Sequence, residues 1–139
     1  RVTSAEEKAN QQITRTSMHI TQVALESYAA DHKNTYPAEI DDALKSYYPG
    51  GEADGKTPAS QGPLNPYSKK AEFPVMVGYI STPTAVRSLP PESTGAAPGQ
   101  VVYIPLNNHK SYALLGTTGD GKAIDGTLPK TTLVLSNIW

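Results

Sequence analysis

The sequence predicts an α+β domain, a long N-terminal α-helix packed on a small antiparallel β-sheet. Proline and glycine supply the first observation. Residues 1–36 contain neither, and all 12 prolines and 11 glycines fall from Pro37 onward. These are the strongest breakers of a helix interior, so only the first quarter is free to be one continuous helix. Apolar residues recur there at helical spacing, while β-branched and aromatic runs gather in the second half. A helix followed by strands, without alternation, is the pattern of an antiparallel α+β arrangement. With 139 residues the chain holds one domain, residues 1–139. It divides into a helix (1–33), a short helix with loops (34–74) and an antiparallel sheet (75–139).

The helix is expected from about Ser4 to His32, roughly 43 Å at 1.5 Å per residue. Val2, Ala5, Ala9, Ile13, Ser17, Ile20, Val23, Ala24, Ser27 and Tyr28 fall on one side, and this stripe is the predicted core face. Arg15, Gln11, Gln22 and Glu26 lie opposite. Ser4 and Glu7 have the spacing of a capping box, although a helix already running at Arg1 fits the same residues. Asn34 is the expected stop, since asparagine tolerates the left-handed conformation, and Pro37 follows. A second helix is expected over Ala38–Tyr47, where Ile40, Leu44 and Tyr47 share a face. Strands are expected over Val75–Ser81, Gln100–Leu106, Lys110–Gly116 and Thr131–Ser136. Asn107-Asn108-His109 is short enough to close a hairpin between the second and third. Thr82–Gly99 holds four prolines and reads as a long exposed loop.

Composition excludes several functions. Twelve basic and 13 acidic residues leave a net charge of -1, which lacks the cationic surface of a nucleic-acid binder. Without cysteine there is no disulfide, thiolate metal site or thiol nucleophile. No apolar run reaches the roughly 18 residues a membrane span needs.

The most tempting motif is Gly116-Thr117-Thr118-Gly119-Asp120-Gly121-Lys122, which has the glycine and lysine spacing of a phosphate-binding loop. The following residue, however, is Ala123 rather than serine or threonine, and Asp125-Gly126-Thr127-Leu128-Pro129 breaks the helix that should follow. A glycine-rich turn between strands is the better reading. Asp120 and Asp125 in that loop are the candidate ligands for a hard cation such as calcium. Two aspartates fall short of the six to eight oxygens calcium takes, and aspartate also caps turns. His19, His32 and His109 show no metal-ligand spacing, and no Gly-x-Ser-x-Gly elbow occurs. Glu6-Glu7 and Asp41-Asp42 are sequence neighbours whose side chains diverge on a helix. Nothing forms a catalytic constellation, and no enzymatic activity or cofactor is expected. Met18 and Leu25, seven apart and opposite the predicted core stripe, are read as a second packing surface and assigned to a subunit interface.

The order of these pieces resembles the type IV pilin-like family, most closely the major pseudopilin (the G type) of type II secretion systems. Four stretches carry the resemblance: Leu25-Glu26-Ser27-Tyr28-Ala29-Ala30-Asp31 ending the helix, Asn34-Thr35-Tyr36-Pro37, Asn65-Pro66-Tyr67, and Tyr112-Ala113-Leu114-Leu115-Gly116 leading into Gly119-Asp120-Gly121-Lys122. The resemblance implies a helix whose transmembrane half precedes Arg1, an apolar run of about 20 residues behind a short basic leader. It further implies inner-membrane anchoring before assembly, a globular part in the periplasm of a bacterial cell envelope, and an inner-membrane assembly platform as partner. Copies would polymerise with other pseudopilin or pilin subunits, helices innermost, into a pseudopilus that supports protein export. The family's calcium loop is richer in acids than the pair Asp120 and Asp125. Alternatives are a surface type IV pilus serving adhesion, motility or DNA uptake, and a periplasmic binding module using the Pro-rich loop. The absence of a cysteine pair favours the pseudopilin over the surface pilin.

Overall fold

The computed structural model describes residues 3–77 and 82–138. Among them, in chain order, are helix α1 (Ser4–Asp31), the short helix α2 (Asp42–Lys45), strands β1 (Leu64–Asn65) and β2 (Lys70–Ala71), the short helix α3 (Pro83–Arg87), and strands β3 (Val101–Leu106) and β4 (Ser111–Gly116). The fold is α+β, with a long N-terminal helix and small antiparallel sheets.

Helix α1 runs 28 residues, about 42 Å. Its capping box lies one residue earlier than expected. Thr3 Oγ1 accepts from the Glu6 N–H at 3.1 Å, and Glu6 accepts from the Thr3 N–H at 3.4 Å. Glu7 is not available for capping because its carboxylate is engaged elsewhere. At the other end the Asn34 N–H turns back to the Ala29 carbonyl at 2.8 Å. Lys33 and Asn34 both adopt left-handed conformations, at φ 57° and 60°. Helix α2 is shorter than expected. Asp41 caps it, accepting from the Leu44 N–H at 3.0 Å, so Ile40 lies outside the helix that it was expected to join.

Strands β3 and β4 form an antiparallel hairpin in the register Tyr103↔Leu114 and Ile104↔Ala113. Asn107, Asn108 and His109 turn it, all at positive φ, conformations that asparagine tolerates best. On one face Val101, Tyr103, Tyr112 and Leu114 pack into a cluster with α1. On the other Val102, Ile104, Ala113 and Leu115 meet Val86, Ala123 and Val134. Both faces are covered, which explains the continuous rather than alternating apolar runs in these strands. The expected strands at either side are reduced to bridges. Val75 pairs parallel with Val102, Leu135 pairs antiparallel with Leu114, and 78–81 of the first lie outside the described residues. Thr82–Gly99 is largely exposed, as expected, but it is not all loop and not all at the surface. It contains α3, buries Thr94, and with Val86 and Ala96 helps to cover the second sheet face.

The rotation of α1 is the main correction. Met18 and Leu25 are each 0% exposed and belong to the central cluster, whereas Ile13 and Val23 are 37% and 51% exposed. Of the predicted core stripe, Ser17 and Ala24 are buried, and Ile20 and Tyr28 pack partly against the same cluster. The buried face is turned, however, toward Met18 and Leu25 and away from Ile13 and Val23. The reason lies in the small hydroxyl residues that share the buried stripe. Thr14 and Thr21 read as polar and fall outside the predicted stripe, yet the fold buries both, together with Ser17, with their hydroxyls bonded. Thr14 donates to the Asn10 carbonyl, Ser17 donates to the Ile13 and Leu64 carbonyls, and Thr21 accepts from Tyr48. A hydroxyl that bonds within its own helix loses most of its desolvation penalty, so it fits a core face.

Candidate functional site

Two features of α1 bear on function: the carboxylates that tie it to the sheet, and the face it leaves in solvent. Glu26 accepts from two tyrosines at once, Tyr36 at 2.9 Å and Tyr112 at 2.7 Å. Tyr36 sits just past the helix and Tyr112 on β4, so one side chain fixes the upper helix to both. Burial and the Glu26 carboxylate push both phenols well above their usual pKa. Tyr103 completes this end by donating to the Pro37 carbonyl at 2.6 Å.

At the lower end Glu7 plays the corresponding part. Tyr67 donates to it at 2.6 Å, the Gly119 N–H at 3.1 Å, and Gln11, one turn on, at 3.0 Å. Burial raises the Glu7 pKa, but these three hydrogen bonds outweigh it and hold the group below the usual carboxylate range. Tyr67 is positioned by the turn between β1 and β2, in which Asn65 accepts from the N–H groups of Tyr67 and Ser68. The Asn65 amide group in turn donates to the Pro98 carbonyl. Thus Asn65-Pro66-Tyr67 and Gly119-Asp120-Gly121, far apart in sequence, meet at one carboxylate.

An open cleft of about 680 Å³ lies there, lined by Glu7, Tyr67, Gly119, Asp120 and Asp125 among others. It brings the two candidate calcium ligands to one cleft and adds Glu7, which sequence spacing could not place beside them. Asp120 and Asp125 are exposed, and both Glu7 oxygens already accept protein hydrogen bonds. No group of three or more His, Asp or Glu suited to a metal occurs among the described residues. The pair is a poor fit to a cation that takes six or more oxygens.

The phosphate-loop pattern resolves as a turn. Gly116 ends β4, Gly121 adopts φ 78°, and the Thr118 N–H donates to the Lys122 carbonyl at 2.8 Å. The Gly119 N–H, which would face a phosphate, already serves Glu7. The histidines stand apart in the fold. His19 is exposed on α1, the His32 ring stacks on Tyr28 at 3.8 Å, and the His109 carbonyl accepts from the Tyr36 N–H. Glu6 and Glu7 diverge as expected, one to the cap and the other to Tyr67.

The solvent face of α1 is the remaining feature. Ala9, Ile13, Thr16, Ile20, Val23 and Ser27 follow one another at alternating spacings of four and three residues, and none is charged. Ala9, Ile13, Thr16 and Val23 are exposed, while Ser27 and Ile20 are half-buried, Ile20 against the central cluster. This is the spacing of a helix–helix seam. No described helix is long and apolar enough to cross a membrane. Comparisons with protein-family models, with curated proteins and with solved structures find no match to this chain.

Proposed function

We propose that this chain is a non-catalytic filament subunit of the type IV pilin-like kind, a pseudopilin of a type II secretion system. In this reading copies assemble through α1, an apolar half of the helix anchors each subunit in the inner membrane beforehand, and the globular part sits in the periplasm. One observation carries the proposal: α1 has two seams, and the domain leaves most of the second in solvent. Thr14, Met18, Thr21 and Leu25 are buried in the domain, while Ile13 and Val23 stand exposed on the other side, with no charge on the seam between them. A helix serving only its own domain has no need of an uncharged second face, which is usually where charge gathers. The interface first assigned to Met18 and Leu25 therefore moves to Ile13 and Val23. The motif order Tyr36-Pro37, Asn65-Pro66-Tyr67 and Gly119-Asp120-Gly121 adds support from the family resemblance.

The test is Ile13→Glu with Val23→Glu, introduced into the natural gene. Burying a side chain of this size contributes about 1.5–3 kcal/mol, repeated at each subunit contact. Filaments recovered from cells and secretion should both fail, while the isolated domain melts nearly as before. Normal assembly and secretion by the double variant would remove the proposal's basis.

A further inference from the structure

The first turns of α1 are held differently from the rest. From Thr3 to Ile13 no residue is buried, and the buried set starts at Thr14. Among the described residues, the hydrogen bonds that reach this stretch from the body of the domain are the two to Glu7, from Tyr67 and from the Gly119 N–H. Both donors are themselves fixed, Tyr67 by Asn65 and Gly119 by the turn that Thr118 closes. The region beyond Thr14 is held by packing instead, with Met18, Ala24, Leu25 and Ala29 in the core. Local opening takes place where buried apolar contacts are few, and this stretch contributes no residue to the buried core.

We propose that Glu7 is a releasable latch. While its carboxylate is engaged, the turns from Thr3 to Ile13 lie docked on the Tyr67 turn and the Gly119 loop. When it is not, these turns open as a unit, with Thr14 as the boundary, and Thr14–Asp31 stays in place. The inference does not depend on the filament reading, since it concerns only how this helix is attached. The groups facing Glu7 are Tyr67 from the β1–β2 turn, Lys8 and Gln11 from α1, and Asp120 and Asp125 across the cleft. Gly119 also limits how closely the loop approaches. A β carbon added there would lie 3.0 Å from Glu7 Oε1 and 3.2 Å from the Tyr67 ring.

Amide hydrogen exchange on this chain tests the latch. In Glu7→Ala, Tyr67→Phe and Gly119→Ala, protection of the amides of residues 8–12 should fall about tenfold, while residues 18–28 change little. The three variants approach the same contact from different elements, so a folding defect in one leaves the others decisive. Acidification of the unaltered protein should strip protection from residues 8–12 before residues 18–28, and Glu7→Gln should abolish that step. Three results overturn the proposal: unchanged protection at 8–12 in the variants, loss at both stretches together, or an acid step that survives in Glu7→Gln and so belongs to Asp120 or Asp125.

Discussion

Met18 lies directly over Gly116. A β carbon added to Gly116 would come within 2.7 Å of the Met18 sulfur and 2.8 Å of Ile124 Cδ1. The glycine is therefore required by close approach of α1 to the end of β4, not by a left-handed backbone. The phosphate-loop reading of the same residue has no part in this.

Gly116→Ala should cost about 1–3 kcal/mol, the range for overpacking a well-filled core. Met18→Ala should cost about 2–5 kcal/mol by leaving a cavity at the same place. Urea melts of the two variants measure both. If Met18→Ala melts like the unaltered protein, α1 is rotated away from the position described here.

Calcium should leave stability nearly unchanged. A ligand that binds only the native state stabilises it by RT ln(1 + [L]/Kd), so even a weak site is visible at high ligand concentration. Asp120 and Asp125 are exposed, and the nearby Glu7 oxygens are engaged. Thermal melts in chelator and in millimolar calcium should coincide. A rise of several degrees with calcium, lost in Asp125→Ala, would establish the site instead.

High pH should unfold the domain. Every described tyrosine has its pKa raised, chiefly by burial at Tyr28, Tyr36, Tyr48, Tyr67, Tyr103 and Tyr112. At Tyr47 the hydrogen bond to Asp31 leads, and the group is pushed up to about 12. The native state thus holds these protons more tightly than the unfolded chain does. Their contribution is fully present below the ordinary phenol pKa of about 10 and is lost as pH rises through the native values. Stability should fall steeply above about pH 10, and less steeply in Tyr112→Phe. A flat profile there would contradict the burial of these rings.

Much of this fold was legible because the relevant signals are local. The proline-free first quarter predicts α1, the apolar runs predict β3 and β4, and Asn107-Asn108-His109 predicts their turn. The face of α1 was legible only in part. Ser17 and Ala24 are buried as the stripe predicts, but Thr14 and Thr21 take the core in place of the more hydrophobic Ile13 and Val23 because each satisfies its hydroxyl there. Nor could spacing show that Glu7 meets Gly119, a contact made across 112 positions. Glu7 carried one usable signal: the capping box could be formed by Thr3 and Glu6 as well as by Ser4 and Glu7, which would free the second glutamate.

The Thr21–Tyr48 pair tests that explanation of the buried hydroxyls. Tyr48 donates to Thr21 Oγ1 at 2.9 Å, both residues are almost fully buried, and burial pushes the Tyr48 pKa up. Thr21→Val keeps the shape but removes the acceptor, leaving the Tyr48 hydroxyl buried without a partner. The cost of such an orphaned group is about 1–3 kcal/mol. Tyr48→Phe removes the donor, leaving the Thr21 hydroxyl without its tyrosine, and should cost a similar or smaller amount. The double variant removes both groups together and should be closer to neutral than the sum of the two. A coupling of about 1 kcal/mol or more in a urea-melt double-mutant cycle is the expected result. Strict additivity would mean that the hydroxyls do not depend on each other. The polar residues on this face would then be tolerated there for some other reason than mutual satisfaction.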